Sequence, residues 1–205
     1  MNRILKAMAA IVLLVVGFSS FTWVDVGNLK EKPTAGTLNG HEWVDLGLPS
    51  GLLWATCNIG AVDCHQAGNY FVWGEVETNA TVNWGTGWRT PTVADFDELL
   101  HVCKWDWREE IIHQPTGLPL IKNGGYQETG PNGNSIFLSP TGFKCPGIHD
   151  SHIGNYWAGT LKPNELYCGS LCCGLTFWRG GDPYIYYFYS RMYGLPIRPV
   201  CSAKR

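Results

Sequence analysis

Few side chains in this sequence are spaced for chemistry, and the tightest grouping is His149-Asp150-Ser151-His152. Imidazole nitrogens are good transition-metal donors, but a closed zinc-type site takes four ligands. Two histidines three apart supply half of that, with Cys145 the nearest further donor in sequence. A solvated loop without a metal is the expectation. The eight cysteines, Cys57, Cys64, Cys103, Cys145, Cys168, Cys172, Cys173 and Cys201, crowd only between 168 and 173. A nucleophilic thiol needs surroundings that favour the thiolate; a structural disulfide is the simpler expectation there. Adjacent Cys172 and Cys173 would distort a bridge between themselves, which favours a bond from one of them to Cys145 or Cys168. Eight thiols allow 105 complete pairings, so the full map stays open, and some thiols are expected simply to be buried. Asp95, Asp97 and Glu98 read as the wet face of a helix near its positive N-terminal end. No Gly-x-Ser-x-Gly nucleophile elbow occurs. No catalytic residue, metal or cofactor is therefore expected.

The aromatics carry the remaining signal. The chain has ten tryptophans and nine tyrosines, and Tyr184-Ile185-Tyr186-Tyr187-Phe188-Tyr189 holds too many rings for one buried face. Alternate residues of that run should be partly exposed. Exposed Tyr and Trp on a rigid sheet suit stacking on a sugar or packing against a protein. Trp178, Tyr186, Tyr189 and Tyr193 are the candidate ligand contacts. Trp54, Trp73, Trp88 and Trp157 are assigned to the scaffold. Arg89 and Arg198 sit in apolar contexts and read as buried, paired scaffold residues, with Glu75 and Asp95 as candidate partners.

These side chains need elements to carry them, and the clearest element is a helix starting at Thr92. Thr92 and Asp95 have the spacing of a capping box, and Pro91 sits just outside. Phe96, Leu99, Leu100 and Cys103 follow at i, i+3, i+4 and i+7 as one apolar stripe. Strands are expected at 42–46, 52–57, 184–189 and 197–200, with a short aromatic run at 70–75. Pro199 puts the last of these at an edge or a strand end. Residues 126–129 and 135–138 flank Gly130-Pro131-Asn132-Gly133-Asn134, whose Asn-Gly pair signals a hairpin. Trp105 and Trp107 alternate across Asp106 and extend the apolar surface. One amphipathic helix among many short antiparallel strands gives an α+β class.

The bulk numbers set the frame. Hydrophobic residues make up 45% of the 205, enough for one sizeable core. Arg3 and Lys6, followed by an apolar run over residues 7–18, give residues 1–20 the form of a secretory signal. That run is short of the roughly 20 residues that span a bilayer. An uncleaved anchor is the alternative, because no clean small-x-small site follows. No cysteine precedes Cys57, so a lipobox is absent. Residues 21–40 read as a polar linker, 41–201 as the domain and 202–205 as a tail. Without Arg3 and Lys6, the 15 basic residues become 13 against 17 acidic ones, a balance unlike the basic footprint of a nucleic-acid binder. A secreted or cell-surface protein, with no membrane insertion of the mature domain, is expected.

Trp43-Val44-Asp45-Leu46-Gly47-Leu48-Pro49-Ser50-Gly51-Leu52-Leu53-Trp54-Ala55-Thr56-Cys57-Asn58-Ile59-Gly60 resembles the opening of the Fibrobacter succinogenes major paralogous domain, a family of exported Bacteroidetes proteins. Further landmarks follow in the family's order: residues 70–75, Trp88-Arg89-Thr90-Pro91-Thr92, residues 130–138, Tyr156-Trp157-Ala158-Gly159-Thr160 and residues 194–200. The resemblance covers residues 41–201. Ala158-Gly159 and the insert Tyr167-Cys168-Gly169-Ser170-Leu171-Cys172-Cys173 depart from the family's pattern, on what is expected to be a loop-rich side. The resemblance implies a C-type-lectin-like fold, shared with formylglycine-generating enzymes: short twisted antiparallel strands, one main amphipathic helix and long loops. In it the first and last strands pair, bringing Val44 near Val200. Calcium binding of the lectin kind is not expected, because Lys162-Pro163-Asn164-Glu165 puts lysine where a first ligand would sit; that segment reads as a surface proline turn. The implied role is a binding module for a glycan or a surface protein. The alternatives are a formylglycine-generating-like Cys/copper enzyme using Cys168, Cys172 and Cys173, or a structural assembly subunit. Fold alone does not choose among these.

Overall fold

The computed structural model of the chain describes residues 34–113, 119–145, 148–150, 152–164 and 169–202. All belong to the second of two compact units, Pro33–Arg205; the expected secretory segment lies outside the described residues. The unit is α+β and rich in antiparallel sheet, with two α-helices among the described residues.

The main sheet has the order β1-β2-β3-β13-β4, from strands β1 (Ala35–Leu38), β2 (His41–Asp45), β3 (Leu52–Ala55), β4 (Trp88–Arg89) and β13 (Val200–Ser202). Strand β1 lies inside the segment expected as linker. Its cause is Asn39-Gly40, both at positive φ (51° and 81°), the two-residue turn whose twist matches paired strands. The expected pairing of first and last strands is corrected: Val44 and Val200 each face Trp54, from opposite sides, so β3 lies between them. The closing strand also begins later than expected, at Val200, and includes Ser202 from the expected tail. Residues 196–199 before it join no strand; the carbonyls of Pro196, Ile197 and Pro199 accept from Trp157 N, Ile59 N and Ala55 N. Strand β13 has neighbours on both sides, so Pro199 marks a strand end and not an edge.

Helix α2 (Val93–Val102) follows its signals. Thr92 caps it and the reciprocal capping box with Asp95 is complete; Phe96 and Leu99 are fully buried. A second helix, α1 (Val76–Trp84), was not expected. Its inward residues, Ala80 and Trp84, stand four apart, too sparse to write an apolar stripe. It is held by packing, with Trp84 edge-on to Trp88 at 5.0 Å. The aromatic run at 70–75 forms a single bridge, Phe71 to Leu195, and then a 3-10 turn at Trp73–Glu75 instead of a strand.

Strands β5 (Lys104–His113), β6 (Pro119–Thr129) and β7 (Ser135–Leu138) make a second sheet. The β6–β7 turn docks on the first sheet: Asn132 and Asn134 side-chain amides both donate to Asp45 O at 2.8 Å. Gly130 is required there, because a Cβ would meet Leu46 O at 2.0 Å. Strands β8 (Phe143–Cys145) and β9 (Ile148–Asp150) form a small ribbon. Strands β10 (Ile153–Asn164), β11 (Gly169–Trp178) and β12 (Tyr184–Tyr189) form the third sheet. Residues 158–164 and 169–173, expected as loops, are thus mostly strand, and Pro163 pairs with Ser170 instead of making a turn. Glu165 and Cys168 lie outside the described residues. Two aromatic-rich core clusters result, one around Trp54, Phe96, Tyr156 and Phe177, the other around Trp73, Trp88, Trp157 and Tyr189. Strand β11 feeds both, since period-2 alternation sends Cys173 into the first and Cys172 into the second.

Candidate functional site

A bulge in the third sheet builds the site. Cys172 faces Tyr189 and Gly174 faces Tyr186, so two steps on β11 match three on β12. The extra residue breaks strict alternation and puts Tyr186 and Tyr189 together, ring centroids 4.7 Å apart and edge-to-face. Gly174 makes room for this; a Cβ there would lie 2.9 Å from Tyr189 Cε2 and 2.5 Å from Tyr156 O. Tyr189 then packs edge-on against Trp157 at 5.4 Å.

The result is a cleft of about 330 Å³ whose walls include Tyr184, Tyr186, Tyr193 and Phe143, near the lower end of ligand cavities at roughly 300–1,000 Å³. Tyr193 stacks on Phe143 at 4.9 Å with the rings 16° apart. The floor is polar and fixed. Tyr189 OH and Thr176 Oγ1 both donate to Asn155 Oδ1, while Thr141 Oγ1 donates to Asn155 O and accepts from Asn155 N. Burial raises the Tyr189 hydroxyl far above the ordinary tyrosine value, so it is a permanent donor. No charged side chain lines this cleft among the described residues. On the other side of Tyr184 lies a larger hollow of about 530 Å³, lined also by Asp97, His101, Trp105, Asp182 and Tyr187. Burial, and then the Asp97 charge, raise the Tyr187 hydroxyl there.

Three of the four expected ligand contacts, Tyr186, Tyr189 and Tyr193, therefore meet in one cleft. Trp178 stands at its edge, 42% exposed and edge-on to Tyr184 at 5.8 Å. Tyr189 departs from expectation: its ring is buried, 8% exposed, because the bulge turns it inward. Phe143, Asn155 and Thr176 complete the cleft with no local signal in the sequence, because only strand pairing brings them together.

The expected scaffold tryptophans Trp54, Trp73, Trp88 and Trp157 are all buried. Arg89 forms a two-point pair with Asp95 at 2.6 and 3.0 Å, yet its side chain is 42% exposed, which corrects the expectation of burial. Asp95 in turn leaves the expected wet face. Burial alone would raise its carboxyl, but hydrogen bonds from Arg89 and Thr92 overcome this and hold it below the ordinary value. Glu98 accepts from Ser50 N and Oγ. Arg198 is fully buried as expected, but its hydrogen bonds go to Asn58 Oδ1 and the carbonyls of Ala55, Thr56 and Phe137 instead of to a carboxylate. A guanidinium has five donors in a fixed fork, and convergent backbone carbonyls satisfy it. Sequence cannot show such carbonyls.

Among the described residues no three His, Cys, Asp or Glu side chains converge as a metal site; the side chains of His149 and Asp150, with Ser151, lie outside the description. No two of the seven described cysteines are bonded to each other. No protein-family model matches the chain, and no curated protein or solved structure matches it either.

Proposed function

We propose that the chain is an exported, non-enzymatic binding domain of the C-type-lectin-like kind, related to the Fibrobacter major paralogous family, and that it takes a neutral glycan in the Tyr186–Tyr193 cleft. The observation that carries this is the cleft's composition: tyrosine walls over an uncharged amide-and-hydroxyl floor. Aromatic rings present a flat apolar face to the C–H face of a sugar, and preset polar groups at the base orient its hydroxyls. Among the described residues the lining is uncharged, which disfavours acidic sugars, whose carboxylate would lose its solvation without a cation to replace it.

The thiol-enzyme alternative needs Cys168, Cys172 and Cys173 to converge. Cys172 and Cys173 are buried in separate clusters, and burial raises the Cys172 thiol to about 11, which disfavours the reactive thiolate. A glycan array with EDTA controls tests the proposal. Binding should persist in EDTA and weaken by at least about tenfold in Tyr186→Ala and Trp178→Ala. A blank array with concentration-dependent self-association would favour an assembly subunit, and loss in EDTA would overturn the calcium-free mode.

A further inference from the structure

Away from the tyrosine cleft, residues 57–69 form a closed loop knitted by their own polar groups. Asn58 Nδ2 donates to Gln66 O at 3.1 Å and Ala67 O at 3.2 Å, and Asn69 N donates to Ile59 O at 2.8 Å. Within the loop Asp63 accepts from His65 N and Gln66 Nε2, and Gln66 Oε1 accepts from Val62 N. Gly68 allows the two arms to touch, since a Cβ there would lie 2.3 Å from Ile59 O. The folded loop brings Cys57, at its start, and Cys64, at its middle, into one neighbourhood. Arg198 donates to Thr56 O and Asn58 Oδ1, the residues on either side of Cys57, and Thr56 and Cys64 line the same cleft of about 300 Å³ against Phe137. Both thiols are partly exposed, whereas Cys103, Cys172, Cys173 and Cys201 are buried in the cores. Burial raises the Cys64 thiol, the Arg198 charge opposes that, and Cys57 adds to the rise, so the two sulfurs are within electrostatic reach of each other.

We propose that Cys57 and Cys64 are a disulfide-forming pair that locks this loop once the domain meets a disulfide oxidant. The oxidant is an external disulfide, small or protein-borne. One cysteine thiolate attacks its S–S bond, forming a mixed disulfide and expelling one external thiol. The second cysteine thiolate then attacks the protein sulfur of the mixed disulfide, forming the Cys57–Cys64 bond and expelling the other external thiol. The protein loses two electrons, which the external disulfide gains, and the two cysteine protons end on the two released thiols. The preformed loop favours this exchange, because the pairing entropy is already spent on folding. The pair differs from the expected bridges to Cys145 or Cys168 and is independent of the glycan assignment.

The test uses the full chain incubated with oxidised glutathione, then blocked with N-ethylmaleimide in denaturant and cleaved without reductant. Asp63 lies between the two cysteines, so cleavage on its N-terminal side separates them unless they are bonded. The expected result is a Cys57 fragment joined to a Cys64 fragment until reductant is added. Maleimide on both residues, or either one bonded elsewhere, would overturn the proposal. A Cys57→Ser/Cys64→Ser variant gives a second readout. Reductant should lower the oxidised wild-type melting temperature by about 5–10 °C and leave the variant unchanged; an equal response in both would also overturn it.

Discussion

Replacing Glu128 with glutamine should remove a pH dependence that the wild-type domain carries above the ordinary carboxylate range. Glu128, on β6, has no exposed surface, and neither of its carboxylate oxygens has a hydrogen-bond partner among the described residues. Burial therefore pushes its carboxyl well above the ordinary 4.5, against a smaller opposing pull from the Arg198 guanidinium. An uncompensated buried charge costs several kcal/mol, so the core holds the neutral acid. In the unfolded chain the same group ionises near its ordinary value. Above that pH the unfolded state binds fewer protons than the folded one, and stability falls by ~1.4 kcal/mol per pH unit while Glu128 keeps its proton. Each such unit is a large share of the ~5–15 kcal/mol that stabilises a domain. His41 has the opposite sign over part of this range: burial lowers its pKa, so the unfolded chain holds the extra proton and stability rises with pH. Asp95, held below its ordinary value, contributes stability that is lost only as pH falls through its folded pKa. Urea unfolding of wild type and Glu128→Gln in half-unit pH steps cancels both, because His41 and Asp95 are common to the two proteins. The stability of the variant relative to wild type should climb by ~1.4 kcal/mol per unit. A difference that stays flat would refute the neutral carboxyl and mean that Glu128 is ionised beside Arg198 in the folded state.

Arg198→Ala should destabilise the domain by about 3–5 kcal/mol, since it strands the acceptors on Ala55, Thr56, Asn58 and Phe137; a thermal melt showing a loss under ~1 kcal/mol would remove Arg198 from the scaffold. Thr92→Ala should cost about 1 kcal/mol by opening the capping box, and Thr92→Asn should restore most of it in the same urea titration. Gly174→Ala drives a methyl into Tyr156 O and the Tyr189 ring; titration with the best array glycan should show affinity lowered by roughly tenfold, and unchanged affinity would separate the bulge from the binding cleft.

The elements legible beforehand share one physical trait: their signals are local. The Thr92 cap, the Phe96–Leu99 stripe and the Asn132-Gly133 turn each act within a few residues, and each appears where expected. Asn39-Gly40 was equally local, but the polar residues before it masked a hairpin. Helix α1 and the long β10–β11 hairpin had no such signal. Trp84 and Trp88 stabilise the first by packing edge-on, and the second is fixed by the strand that pairs with it.

The same division holds for the site. Composition and the run at 184–189 determined that tyrosines would stand out of the third sheet, because a single strand cannot bury six consecutive large side chains on one face. Which of them meet was set by a bulge, a missing Cβ at Gly174 and a register between strands. Those depend on residues far apart in the chain, as do the carbonyls that satisfy Arg198. Periodicity and caps are short-range and can be read along the chain; a cleft is the sum of long-range pairings, and its floor exists only after the strands have closed.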